Sequence, residues 1–528
     1  MHGKAKVNTT LEEKERKKKE RDVKMKAYQH SMNKIFHKVR KNGEYDEEAM
    51  ELISDVLVSN PDIYTLWNMR KEILLTFKDK SHDDLGCILS NEMHLTEICL
   101  RENPKSYAAW YHRLWLLDNM PYTDLEKELF LCTKYLKLDE RNFHCWDYRR
   151  AVVARLRMAP SEELDYTTVK IEENFSNYSS WHYRSKLLPL VFPDPSGLRP
   201  IDEPSHLKEL ELVQAACFTD PSDSSSWFYL RWLLGRPTTK LGPVQAFITN
   251  GKIACVFSRC VSLPQPWIPY EKSRLIWTRS LHDEESEDEI SFTLEYEQGL
   301  VENITLSREK VWSIRPAFDP TVSPALMSVL CSTLDSSNQL LDLEPESKWT
   351  LLTSIVLMQA IDKKMYKSKI IERLDLLIKY DYCRKNYYDD IRSKFIMEEA
   401  LEELDISSEE VVLRNLSLTS LHHTHYLAFA SVVDLSNNNL KRSLHLLSVL
   451  INCKVLIIDS NALETLEGFP VLPCLKKLSL CGNNLTSSEN IIPFVKNNRM
   501  LQELNLQGNK LSLSQVESIL KELGLCEK

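Results

Sequence analysis

Glycine is scarce in this chain, 12 residues in 528. Average usage is roughly 7%, and sandwiches or glycine-looped sheets need turn residues that are missing here, so most of the chain is expected to be helical. No apolar run approaches the ~18–20 residues that span a bilayer, so no membrane span is expected. The 13 cysteines are odd in number, scattered, and nowhere spaced as CxxC. That argues against a disulfide framework and for a reduced compartment. No apolar core follows Lys4 and Lys6 at the N-terminus, so no secretory leader is expected and a cytoplasmic protein is. A glycine-rich phosphate loop, an HExxH and a Cys/His set with metal-ligand spacing are all missing, as is any recognisable nucleophile constellation. By itself the chain reads as a scaffold.

Net charge is −9. Residues 1–40 hold 13 basic and 5 acidic side chains. The mixture of Lys and Glu from Leu11 to Ala27 reads as a solvated helix, with no aromatic interleaved before Tyr28 and Phe36. Nucleic acid is therefore not expected as a partner.

What is present is a recurring aromatic word. It runs Asn60-Pro61-Asp62-Ile63-Tyr64-Thr65-Leu66-Trp67-Asn68-Met69-Arg70 and returns as Asn103-Pro104-Lys105-Ser106-Tyr107-Ala108-Ala109-Trp110-Tyr111-His112-Arg113. A third copy has Phe143, Trp146 and Arg149, and a fourth has Tyr178, Trp181 and Arg184. In the fifth, Asp220-Pro221 to Trp227, Ser224 replaces the aromatic and Arg231 falls one place late. The tryptophans are 43, 36, 35 and 46 residues apart, a period suited to stacked helical hairpins. Asn then Pro reads as a helix start, with Asn as cap and proline in the first turn. Tyr, Trp and Arg at i, i+3 and i+6 then share one side of that helix. Tyr and Trp are expected to be packing residues, and Arg to tie adjacent repeats together.

This word, five times over, resembles the repeat of the protein prenyltransferase α-subunit family. Segments such as Glu140-Arg141-Asn142-Phe143-His144-Cys145-Trp146-Asp147-Tyr148-Arg149-Arg150, the run Trp232-Leu233-Leu234-Gly235-Arg236 and the opening Met1-His2-Gly3 resemble its Rab geranylgeranyltransferase branch. The resemblance implies a heterodimer with a β subunit, and transfer of geranylgeranyl from geranylgeranyl diphosphate to C-terminal cysteines of Rab GTPases presented by an escort protein. It also implies that zinc and the lipid pocket belong to the β subunit.

Past Arg236-Pro237 the pattern changes. Ala246 to Thr249, Asn250-Gly251 and Ile253 to Phe257 read as two strands joined by a type I′ turn. Ile290, Phe292, Leu294 and Tyr296 alternate with polar residues as a half-buried strand does, and His282 to Glu289 reads as an acidic loop. Helix resumes at Ser323-Pro324. From about 409 a shorter period sets in, with asparagines at 438, 461, 483 and 509 spaced 23, 22 and 26 residues apart, as in leucine-rich repeats. The expected fold is mostly α: a solenoid of helical hairpins (1–237) continuing over 323–408, an inserted small β-sandwich-like domain, immunoglobulin-like by the resemblance, over 238–322, and leucine-rich repeats over 409–528.

Lys105 stands out because the first turn of a helix disfavours a cation. At the same offset stand Asp62, Arg141, Ser176 and Ser222. A lysine beside free helix N–H groups is an anion-site candidate, against the plainer reading of a solvated side chain. The resemblance implies that Lys105 and Tyr107 hold the isoprenoid diphosphate and that His144 faces the same cleft. His2, near the N-terminus, is a candidate transient ligand of the partner's zinc. His422, His423 and His425 read as solvated or capping residues rather than a zinc site.

Two other readings stand beside this one. The α subunit of farnesyl and type I geranylgeranyl transferases shares the helical repeat but has neither the insert nor the leucine-rich tail. A non-enzymatic adaptor of helical and leucine-rich repeats would have no reason to keep Lys105.

Overall fold

The computed structural model describes residues 11–77, 82–119, 123–195, 199–235, 241–270, 274–281, 289–296, 299–307, 310–318, 322–405, 407–441, 443–489, 491–522 and 524. The chain divides into two compact units, Met1–Pro193 and Asp194–Lys528. Among the described residues, no helix is long and apolar enough to cross a membrane.

The first unit is a run of helices. A long α1 (Leu11–Phe36) is exposed along most of its length, as its mixed charge dictates, and ends in one π turn at His37–Lys41. Antiparallel pairs follow: α2 (Glu47–Ser59) with α3 (Tyr64–Thr76), α4 (His82–Glu102) with α5 (Tyr107–Asn119), α6 (Leu125–Leu138) with α7 (Phe143–Leu156), and α8 (Pro160–Glu173) with α9 (Tyr178–Val191). Leu57, Leu100, Leu136 and Ile171 on the first helices and Trp67, Trp110, Trp146 and Trp181 on the second are buried. No hairpin covers its own apolar face, so stacking completes the core.

The second unit opens with one more pair, α10 (Glu203–Thr219) and α11 (Ser224–Leu233). Seven strands come next among the described residues: β1 (Pro243–Thr249), β2 (Lys252–Phe257), β3 (Ile268–Pro269), β4 (Ile276–Ser280), β5 (Glu289–Tyr296), β6 (Leu300–Ser307) and β7 (Trp312–Ser313). Five form an antiparallel sheet in the order β3-β4-β2-β1-β7, and β5 and β6 form a hairpin. Asn250 and Gly251 join β1 to β2 with φ of 47° and 70°, the positive values a type I′ turn needs. Residues 282–288 lie outside the described residues.

Strand β2 is buried on both faces, which explains its unbroken apolar run. Ile253, Cys255 and Phe257 face the β5–β6 hairpin with Trp277, Leu294 and Leu306. Ala254 and Val256 join Phe247 and Ile276 against the C-terminal leucines. On β1 the register shifts between Pro243 and Gln245. Gln245 donates to the Tyr426 carbonyl at 2.9 Å, and the rings of Phe247 and Phe429 stand 5.4 Å apart.

Helices α12 (Pro324–Leu343), α13 (Lys348–Asp362), α14 (Lys367–Tyr380) and α15 (Lys385–Glu403) follow, the first capped by Ser323 with Pro324 in its first turn. The chain then turns into five parallel strands, β8 (Glu410–Val412), β9 (Val432–Asp434), β10 (Val455–Ile457), β11 (Lys477–Ser479) and β12 (Glu503–Asn505), stacked in chain order. Asparagine amides stitch successive coils. Asn483 Oδ1 accepts from the N–H groups of Asn461 and Leu463, both at 3.0 Å, while its Nδ2 donates to the Ile458 and Leu480 carbonyls at 2.9 and 3.0 Å. Asn438 and Asn509 bridge neighbouring coils in the same way.

Candidate functional site

The turn inside each hairpin of the first unit is built by the repeated word, one step away from where the sequence pattern puts it. Asn103 is not the cap of α5. Its N–H still donates to Cys99 at the end of α4, and its Oδ1 accepts from the Lys105 N–H at 3.1 Å. Pro104, lacking an N–H, cannot continue α4. Asn60, Asp139, Asn174 and Asp220 close the same side-chain turn onto the N–H two residues on. The cap is the residue just before the aromatic: Ser106 accepts from the Ala109 N–H at 3.3 Å, and Asn142 from the Cys145 N–H at 3.4 Å. Lys105 therefore precedes the helix, and the expectation that it lies in the first helical turn is corrected.

The tryptophan closes this turn from below. Its Nε1–H donates to the backbone oxygen six residues earlier in all five copies, from Trp67 to Pro61 (2.8 Å) through Trp110 to Pro104 (2.9 Å) and on to Trp227 to Pro221 (3.1 Å). The aromatic that opens the word does not pack inside. Tyr64, Tyr107, Phe143 and Tyr178 are 52, 58, 51 and 51% exposed and form a surface row. That corrects the packing role expected for them.

The arginines do tie repeats together, through glutamates that the sequence pattern alone did not single out. Arg113 reaches Glu128 of the next hairpin and the Thr96 hydroxyl of its own, all at 2.7 Å. Arg149 pairs with Glu163 at 3.0 and 2.5 Å, and Arg70 with Glu92. Each carboxylate is shared with its own hairpin's second helix: Glu92 with His112 at 3.1 Å, Glu128 with Tyr148 at 2.8 Å, and Glu163 with Tyr183. Burial would raise the Glu92 carboxyl, but Arg70 and His112 bring it down to about 2. A signal was available: Glu92, Glu128 and Glu163 each stand 18 residues before their hairpin's tryptophan.

On the loop side of α5 and α7 the fold brings three of the sequence-selected residues together. The Tyr107 and His144 rings meet edge to face at 4.0 Å, with Phe143 also 4.0 Å from His144. Lys105 lies close enough to depress His144; burial is the larger cause, Lys105 adds to it, and Asp147 and Asp62 oppose. The imidazole is thus neutral at pH 7. Lys105 Nζ pairs with Asp139 Oδ2 at 2.9 Å, and the lysine side chain is 64% exposed. An exposed cation and a half-exposed phenol packed over a buried, neutral imidazole can donate hydrogen bonds to a phosphate group.

His2 lies outside the described residues. His422 Nε2 contacts both Ser420 (3.0 Å) and Asp390 (3.3 Å), so these three cannot form a nucleophile relay, which uses the two ring nitrogens separately. His423 turns instead to Glu398 at 3.3 Å, and burial pushes His425 down to about 4. Among the described residues, no group of three His, Cys, Asp or Glu side chains is placed to hold a metal ion.

A family described as "Protein prenyltransferase alpha subunit repeat" matches residues 46–77, 89–120, 125–156, 160–190 and 206–237. The geranylgeranyl transferase type-2 subunit alpha of Rattus norvegicus is 40% identical over 559 aligned positions, covering 99% of this chain and 98% of that one. The Homo sapiens protein of the same name is 39% identical with the same coverage. The Dictyostelium discoideum protein of that name is 35% identical over 237 positions, 44% of this chain and 75% of its own length.

Proposed function

The chain belongs to the geranylgeranyl transferase type-2 α-subunit family, and we propose that it holds the diphosphate of geranylgeranyl diphosphate at Lys105 and Tyr107 while a β subunit supplies the rest of the site. As a prenyltransferase α subunit it implies a β partner, and the row of half-exposed aromatics at Tyr64, Tyr107, Phe143 and Tyr178 supports docking on that face. Rab GTPases presented by an escort protein are the proposed acceptors, and the cytoplasm the proposed location. The stacked asparagine coils support the reading of 409–528 as leucine-rich repeats, and the two-layered strands support an immunoglobulin-like insert.

The observation that carries the diphosphate reading is the Lys105–Tyr107–His144 cluster. Lys105 provides a strongly hydrated point charge suited to a phosphate oxygen. Tyr107 provides an O–H donor at a half-exposed position, and His144 a neutral N–H or a lone pair according to tautomer. As the carbon–oxygen bond of the isoprenoid breaks, negative charge grows on the leaving diphosphate, and fixed donors aimed at it lower the barrier. Zinc, proposed as the β subunit's metal, would bind and activate the acceptor thiolate there. Among the described residues of this chain, no His, Cys, Asp or Glu group is placed to hold a metal.

The test is coexpression with a type-2 β subunit, followed by transfer of labelled geranylgeranyl to escort-bound Rab. A 1:1 heterodimer whose Lys105→Ala variant loses diphosphate affinity supports the reading. A chain that never pairs with β, or a Lys105→Ala heterodimer of unchanged affinity, sinks it.

A further inference from the structure

Resting on that diphosphate reading, we infer that Asp139 is the positioning residue for Lys105. The two come from successive hairpins, 34 residues apart, and meet at 2.9 Å. Asp139 is itself fixed: its Oδ1 accepts from the Arg141 N–H at 3.1 Å, closing the turn between α6 and α7. The second oxygen is left for the Lys105 ammonium. A lysine 64% exposed otherwise spreads over many rotamers, and an anchored carboxylate narrows that spread before ligand arrives.

The contact is a product of the repeat. One hairpin earlier, the same two word positions meet with the polarity reversed, Asn103 Nδ2 donating to Asp62 Oδ2 at 3.0 Å. At these two junctions stacking delivers the third residue of one word to the first residue of the next, and here that geometry joins a cation to an anion; at the following junction Arg141 reaches the Ser176 carbonyl instead. The ammonium has three N–H donors, so Asp139 leaves two for phosphate oxygens. An exposed pair of this kind is weak, which lets Lys105 lean toward a diphosphate without a large loss. His144 responds to the same lysine, which helps keep its imidazole neutral.

Asp139→Asn is a clean probe because asparagine already closes this turn at Asn60, Asn103 and Asn174. The turn survives, while an amide NH2 replaces the oxygen that faces the ammonium. The experiment uses the αβ heterodimer and measures the Kd and KM for geranylgeranyl diphosphate, kcat, and the KM for escort-bound Rab. Asp139→Asn should raise Kd and KM for the diphosphate about three- to fivefold, the size expected of an exposed ion pair, with kcat and the Rab KM unmoved. In a Lys105→Ala background it should add nothing.

An unchanged or tightened diphosphate Kd in Asp139→Asn, or the same loss repeated in the Lys105→Ala background, overturns the inference. A Lys105→Ala protein of unchanged affinity instead overturns the diphosphate reading beneath it, so the two failures are distinguishable. Asp139→Ser, whose hydroxyl can also close the turn, serves if the asparagine variant assembles poorly.

Discussion

Arg113 donates two parallel hydrogen bonds to Glu128, Nε to Oε2 and Nη2 to Oε1, both at 2.7 Å and both buried between successive hairpins. The fork-on-fork geometry is the strong form of a carboxylate–guanidinium contact. Glu128 also accepts from Tyr148, so its charge is fully engaged. Removing one partner strands the other. Arg113→Met is expected to cost about 3–5 kcal/mol, and Tyr148→Phe only about 1 kcal/mol. Urea unfolding of the heterodimer checks both, and equal losses would contradict the ranking.

Acid should loosen the junction between the first two hairpins. Glu92, ordinarily at 4.5, is held at about 2 in the fold, so its contribution is complete above 4.5 and is lost as pH falls toward about 2. His112, lowered from 6.5 by burial, acts in the same direction and begins earlier, because below 6.5 the unfolded chain takes a proton the folded one resists. The unfolding midpoint is therefore expected to fall from pH 6.5 downward. Glu92→Gln should start lower and show a flatter decline below pH 4.5 than the wild type.

Trp110 anchors the turn that carries Lys105. Trp110→Phe keeps an aromatic in the core but removes the Nε1–H donor to Pro104, whose oxygen retains only Asn142 Nδ2 at 2.8 Å. A loss of about 1–2 kcal/mol is expected. Trp181→Phe, which frees the Phe175 carbonyl instead, should cost a similar amount in a thermal melt. Only Trp110→Phe should raise the KM for geranylgeranyl diphosphate.

Asn461→Leu tests the C-terminal array. The side chain gives Nδ2 to the Leu435 and Asp459 carbonyls at 2.9 and 3.2 Å and takes the Leu440 N–H at 3.1 Å. Leucine leaves these buried groups unpaired, at about 2–4 kcal/mol. Limited proteolysis should then cut within 409–528 before it cuts the hairpins; cleavage at unchanged rate would mean that water replaces the amide.

Most of what the sequence made legible depends on contacts close in the chain. Asn250-Gly251 specifies its own hairpin, and the asparagine period specifies coils that repeat every two dozen residues. The Asn–Pro word was displaced by a turn because Asn103 has two local options, capping the next helix or closing a side-chain turn at the end of the last. The proline after it ends α4 and favours the turn, but Asp139 and Asn174 close the same turn without a proline behind them. The glutamates that receive the arginines repeat at a constant offset from each tryptophan but belong to a different helix, where a lone Glu looks solvated. The Lys105–Asp139 pair was illegible for a stronger reason, since it exists only once two hairpins are stacked.

The central sheet of the second unit works as a party wall. Its β1, β2 and β4 strands present Phe247, Ala254, Val256 and Ile276 to the leucine coils on one side while the β5–β6 hairpin leans on the other. A chain cut at 408 would keep the wall and lose the neighbour, leaving an apolar sheet face open to solvent and prone to self-association. Insert and coils are thus a package for protein engineers: deleted together they leave helices to rejoin, whereas deleting either alone trades a folded module for an aggregation hazard.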